Sequence, residues 1–218
     1  MSDGVERLPI VLATHNRHKV NEFQRLLGHD FPSLDVVLYD GPEPVENGLS
    51  FAENALIKAR AAAEHTKLIA LADDSGIGLD VLGGAPGVFS ARWAGSHRDS
   101  DANVALLLDQ LQDIRAPHRG AAFTCTIALV VPDGLSRWAS REIVVEGTWR
   151  GTIARERGGD HGFGYDPIFV PDGMQVTAAQ LTAEQKDAVS HRALAFEKLR
   201  AALRSLIIAA PGEAEFPQ

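Results

Sequence analysis

The stretch "IALADDSGIG" (residues 69–78) runs four apolar residues directly into two adjacent carboxylates, Asp73 and Asp74, and then into Ser75 and Gly76. A short apolar run bounded by turn-forming residues reads as a buried strand, here "LIALA" at 68–72. Carboxylates at the C-terminal end of such a strand lie where ligands of open α/β sheets gather, and hard oxygen donors without His or Cys suit Mg²⁺. The competing reading is local, with one Asp closing an Asx turn over Ser75 and Gly76. Successive residues on extended chain point to opposite faces, so only one of the pair is expected to reach a common site.

Upstream, "IVLA" (10–13) reads as a strand, "KVNEFQRLLG" (19–28) as a helix with Val20, Phe23, Leu26 and Leu27 on one face, and "LDVVLY" (34–39) as a second strand. Ser50-Phe51-Ala52-Glu53 has the spacing of a capping box and opens a helix to about Thr66. Downstream come a tight loop "GGAPG" (83–87) and a helix near 100–113 carrying Leu106, Leu107, Leu108 and Leu111. "AAFTCTIALVV" (121–131), a "PDG" turn and "REIVVEGTW" (141–149) then read as adjacent antiparallel strands. The expected fold is therefore α/β, with a mixed central β-sheet flanked by helices. The Gly-rich loop "GGDHGFGYDP" (158–167) leads to a short strand "IFV", a second "PDG" turn and two helices, one opened by Thr182-x-x-Gln185 and one over about 190–208. The last eight residues, "PGEAEFPQ" (211–218), read as a frayed tail.

The chain has 218 residues, 45% hydrophobic and 23% charged, which fits one soluble unit spanning 1–218. No apolar run approaches the roughly 20 residues of a membrane span, and "MSDGVERLPI" lacks the basic and apolar regions of a leader, so a cytoplasmic protein without membrane contact is expected. The single cysteine, Cys125, excludes an internal disulfide framework and reads as a small core hydrophobe. A net charge of −8 argues against a nucleic-acid partner, which calls for a basic surface, but not against a small anionic ligand.

Cations at helix starts point to such a ligand. "THNRHK" (14–19) follows a strand and opens a helix, where free backbone N–H groups favour anions, yet Lys19 sits in that first turn against the dipole. Either it is solvated or an anion lies between it and the helix end. His191 and Arg192 stand at the start of the last helix in the same unfavourable position. The chain has no Gly-Lys pair and so no P-loop, and "GIGLDV" (76–81) puts Val81 where the dinucleotide fingerprint needs its third glycine. His15 and His18 lack the partners of a zinc site. In the Gly-rich loop, Phe169 reads as a core aromatic and Tyr165 as a ring available to stack on a flat base, with Asp166 as an acceptor for ring N–H groups.

Five ordered blocks, "ATHNRHKVNEF", "FAENALIKAR", "LADDSGIGLDVLGGAPGVFSARWAG", "GFGYDPIF" and "SHRALAFEKL", together resemble the Ham1-like family of inosine/xanthosine triphosphate pyrophosphatases over about residues 8–207. The resemblance implies two lobes enclosing a nucleotide cleft, a purine nucleoside triphosphate substrate, Mg²⁺ and a homodimer. It implies hydrolysis of dITP, ITP or XTP between the α and β phosphates, which removes these nucleotides from the pool. By position it puts the general base on Asp74, also a metal ligand, and the second metal carboxylate on Glu46. It puts phosphate binding on Thr14, His15, Asn16, Arg17, His18 and Lys19, with Lys58 as a further cation. Nucleotide contacts fall on Ser75, on Phe163, Gly164, Tyr165 and Asp166, and on Lys186, His191 and Arg192. The family often has Gly where this chain has His15, a substitution that limits close approach to a phosphate.

Three other readings have distinct signatures. A related enzyme of pyrimidine nucleotides would lack "SHR". An aspartyl-phosphate phosphatase needs D-x-D after its first strand, where this chain has "THN". A nucleotide-binding regulator would keep the cations without needing Glu46 and Asp74 together.

Overall fold

The structure, a computed structural model, describes residues 7–135 and 137–208, so the tail expected at 211–218 lies outside the described residues. β1 (Leu8–Leu12) runs parallel to β2 (Leu34–Leu38), with α1 (Arg17–Gly28) between them in sequence. β1 also pairs in parallel with β3 (Ile69–Leu79), which follows α2 (Phe51–Thr66). After α3 (Ser100–Gln110) the pairing becomes antiparallel through β4 (Gly120–Val131), β5 (Arg141–Ile153) and β6 (Phe169–Pro171). α4 (Ala183–Val189) and α5 (His191–Ile208) complete the described chain. The described strands form one mixed sheet in the order β2-β1-β3-β4-β5-β6, as the alternating pattern of the first half and the paired apolar runs of the second predict.

The strand expected at 68–72 is longer than its apolar run. β3 passes through Asp73 and Asp74 to Leu79, because β4 pairs with it in register from Ala70↔Val130 to Leu79↔Ala121 and satisfies its backbone throughout. The carboxylates are thus in mid-strand and not at a strand end. What stops is β1: its pairing with β3 ends at Leu12↔Leu71, and Ala13 N–H donates to the Leu71 carbonyl at 2.8 Å. Beyond that point no strand pairs with this edge of β3 until Ile77 N–H donates to Ser90 Oγ and Gly78 bridges Pro86. Within the gap Asp73 and Asp74 emerge on the two faces of the strand.

One face carries two apolar clusters. Leu71, Ile127, Phe23, Phe196 and Leu199 belong to the cluster that takes in α1 and α5. Ile77, Phe123, Trp149, Phe169 and Leu107 belong to the one that takes in α3 and β6. On this face of β3 only Asp73 and Ser75 separate Leu71 from Ile77. On the opposite face Ala55, Ala59 and Ala62 of α2 are fully buried against Val11, Ala70, Ala72 and Ala128. Small side chains on both surfaces let the helix lie close to the sheet. Half of the expected capping box forms: Ser50 Oγ accepts from Glu53 N–H at 3.2 Å, but Glu53 Oε2 accepts from Leu49 N–H at 2.6 Å, one residue before the cap, and not from Ser50 N–H.

α5 is set equally close. A Cβ added at Gly147 of β5 would collide with the His191 carbonyl and the Ala195 backbone nitrogen, so only glycine lets the first turn of α5 rest on the sheet. Cys125, opposite Gly147, is buried and its thiol is pushed up to about 12, chiefly by burial, which fits the core role read from sequence. Among the described residues no helix is long and apolar enough to cross a membrane.

Candidate active site

Asp73 faces α1 and α5. Lys19 Nζ, in the first turn of α1, donates to both of its oxygens at 2.8 and 3.0 Å, and Arg192 Nη2 of α5 lies 3.9 Å away. The anion that Lys19 called for is thus supplied by the protein itself. Burial alone would raise the Asp73 carboxyl, but Lys19 and Arg192 together outweigh it and hold it below the ordinary range.

Asp74 faces α2. Lys58 Nζ lies 3.1 Å from Asp74 Oδ1 and 3.5 Å from Glu46 Oε1, so one ammonium holds two carboxylates from distant parts of the chain. Asn54, one helical turn before Lys58 and therefore on the same face of α2, lies near enough to Asp74 to lower its carboxyl slightly, and its Oδ1 fixes the loop by accepting from Gly48 N–H at 2.9 Å. Asn54 was not singled out from sequence; its four-residue spacing from Lys58 was the available signal. Burial raises the Asp74 carboxyl above its ordinary value, Lys58 pulls it back, and Glu46 adds to the rise. The adjacent aspartates are pushed in opposite directions, which makes Asp74 the one suited to accept a proton.

A cavity of about 240 Å³ is lined by Thr14, Lys19, Glu46, Lys58 and Asp73. Of the other residues in the loop 14–19, Asn16 caps α1 through His18 N–H at 2.9 Å, and Arg17 and His18 are exposed outside this lining. His15 is also outside this lining but contacts two residues within it: Nε2 donates to the Gly41 carbonyl at 2.9 Å, Nδ1 lies 3.2 Å from Glu43, and the ring stacks on Tyr39. It ties the loop to the segment that leads to Glu46.

A second cavity, about 170 Å³, is lined by Ser75, Phe163, Tyr165, Asp166, Lys186 and His191. Asp166 is buried, accepts from Phe163 N–H at 2.8 Å and pairs with Lys186. Gly162, at φ 76°, makes the left-handed bend that puts Phe163 over this pair. The available ring here is Phe163 and not Tyr165, contrary to the sequence reading: Phe163 is 68% exposed, whereas Tyr165 is buried with its hydroxyl donating to the Ser90 carbonyl at 2.9 Å. Lys186 Nζ and Arg192 Cζ lie 5.0 and 5.8 Å from the Phe163 ring centre.

His191 departs from the reading of it as a cation. Its ring stacks on Phe123 with centroids 4.9 Å apart, and burial, with Arg192 and Lys186 nearby, lowers its pKa to about 3. It is neutral at pH 7, and its buried Nδ1 has no hydrogen-bond partner among the described residues. Between the unfolded value near 6.5 and about 3 the unfolded chain binds the extra proton, so stability falls as pH falls through this window. His191→Phe is expected to lose less stability than the parent from pH 6.5 to 4, by up to about 1.4 kcal/mol per pH unit. Urea unfolding across that range measures it, and identical slopes would contradict a neutral buried His191.

The fold and site together define an α/β protein whose sheet carries a carboxylate pair and several cations beside two cavities, one lined by cationic donors that suit a phosphate and one bordered by an exposed aromatic ring. A sequence profile of the Ham1 family matches residues 10–202. The chain belongs to this family. It is 61% identical over 197 residues to the dITP/XTP pyrophosphatase of Leifsonia xyli subsp. xyli, covering 90% of this chain and 96% of that one. Among solved structures it resembles a HAM1 protein from Coxiella burnetii, with TM-score 0.82, 41% identity, and 91% and 99% of the two chains covered. A Mycobacterium abscessus structure described as a nucleoside-triphosphatase / dITP/XTP pyrophosphatase aligns with TM-score 0.75 and 48% identity, covering 90% of this chain and 99% of that one.

Proposed function

We propose that the chain is a nucleoside-triphosphate pyrophosphatase that hydrolyses dITP, ITP and XTP to the monophosphate and pyrophosphate, depends on Mg²⁺, and works as a cytoplasmic homodimer in which each chain is one two-lobed unit. The observation that carries the chemistry is the convergence of Glu46 and Asp74 on one cation, Lys58. The donor set fits Mg²⁺, which is commonly held by one or two carboxylates with water and substrate phosphates. Glu46 and Asp74 would hold the ion, which when bound supplies charge neutralisation at the phosphate oxygens.

The remaining work falls to side chains. Asp74 orients a water and takes its proton as the water oxygen bonds to phosphorus and the bridging oxygen leaves with pyrophosphate. Lys19 and Lys58 offset the charge that develops on the leaving group. Phe163 offers a ring face for the base, flanked by Lys186 and Arg192. Hypoxanthine and xanthine carry a 6-oxo acceptor that Arg192, a donor only, can satisfy, whereas the 6-amino group of adenine would leave the guanidinium unpaired. Arg192→Ala is therefore expected to lower the dITP-to-dATP ratio of kcat/KM by about tenfold or more. Equal losses on the two substrates would remove Arg192 from selectivity. The activity is tested with Mg²⁺ and a panel of dITP, ITP, XTP, GTP, ATP and dTTP. Turnover concentrated on the first three supports the reading, preference for dTTP favours a pyrimidine enzyme, and no turnover of any of them contradicts the enzyme reading.

A further inference from the structure

The cations around the cleft are mostly neutralised before any ligand arrives. Lys19 is matched to Asp73, Lys58 to Asp74 and Glu46, Lys186 to Asp166, and Arg192 to Glu22. Arg98 is different: among the described residues its guanidinium makes no hydrogen bond or ion pair. The nearby acids are engaged elsewhere. Asp99 caps α3 by accepting from Asp101 and Ala102 N–H at 2.9 and 3.1 Å, and Asp101 holds Arg157 at 2.7 Å.

Its position is specific as well as its charge. Arg98 lines both the cavity of Ser75, Phe163 and Asp166 and the cavity of Glu46, Lys58 and Asp73, and it is the one residue the two linings share. The segment that carries it is pinned at its base by buried Asn103, which accepts from Ala94 N–H at 2.6 Å and donates to the Ala91 carbonyl at 3.1 Å. Arg98 itself is held at φ 54°, a left-handed conformation that a side-chain-bearing residue adopts only where the surroundings impose it.

We propose that Arg98 is a substrate-binding residue that grips the α-phosphate, the group at the junction of nucleoside and polyphosphate. The assignment rests on the nucleotide reading of the cleft and adds the contact that joins its two halves. A fork of N–H donors suits a phosphate, and an unpaired guanidinium gives its charge to a ligand without first leaving a carboxylate. The α-phosphate stays with the monophosphate product, so Arg98 should serve dITP and dIMP alike and pyrophosphate not at all.

The test compares the full chain with Arg98→Ala and Arg98→Lys, using steady-state kinetics on dITP and calorimetric titration with dIMP and with pyrophosphate. In Arg98→Ala the KM for dITP and the Kd for dIMP are expected to rise about tenfold, as for loss of a charge-assisted hydrogen bond, with Arg98→Lys between and the Kd for pyrophosphate unchanged. Unchanged dIMP affinity overturns the assignment, as does pyrophosphate affinity falling as far as that for dIMP. If the parent turned over no nucleotide, the activity reading would fail while the titrations still judged Arg98. A parent that bound no dIMP would overturn the Arg98 assignment, while turnover of dITP would still judge the activity reading.

Discussion

The Asp74→Asn protein is expected to fold as the parent does and to lose about 10²-fold or more of its turnover of dITP. Asn keeps the shape of the side chain and removes the one oxygen charge that can take a proton from water. Burial already opposes ionisation of this carboxyl, so removing the charge should leave the melting temperature unchanged or slightly higher. Turnover near the parental rate would take Asp74 out of the mechanism. A matching fall in melting temperature would make it a structural residue.

Its neighbour should give the opposite result. Asp73→Ala leaves Lys19 and Arg192 facing each other without the carboxylate they share, and removing one member of a buried ion pair costs about 3 kcal/mol, less some screening because Lys19 is partly exposed. Urea unfolding at pH 7 measures this loss, and a change below about 0.5 kcal/mol, the range of an ordinary surface substitution, would contradict it. Asp73 is held below the ordinary carboxylate range, so its contribution is complete above the unfolded value near pH 4 and is lost as pH falls through the folded one. Two adjacent aspartates thereby separate into one that serves stability and one that serves chemistry.

Periodicity carried most of the fold. The alternating strands and helices of the first half, the antiparallel pair of the second and the capping residues Ser50 and Thr182 were legible because each is a local pattern. The length of β3 was not, since what extends it is pairing with β4, more than 40 residues away in sequence. The site divides the same way. That extended chain would separate Asp73 from Asp74 followed from strand geometry, and the structure puts them on opposite faces. That His191 would be neutral did not follow, because its charge is set chiefly by burial, with Phe123 and Trp149 stacked along its ring, and by Lys186, all of which only the fold brings to it. Phe163 and Tyr165 are two residues apart, and no local rule says which ring is pinned by the Ser90 carbonyl and which is exposed. Arg98 escaped notice for the same reason: its significance lies in what does not contact it.

The bond that is broken is the most direct test of this account. With Mg²⁺ and dITP, the products should be dIMP and pyrophosphate in equal amounts, without dIDP and without orthophosphate. Release of orthophosphate with accumulation of dIDP would place cleavage at the terminal phosphate and contradict the arrangement of Asp74, Lys19 and Lys58 proposed for the bond between the α and β phosphates.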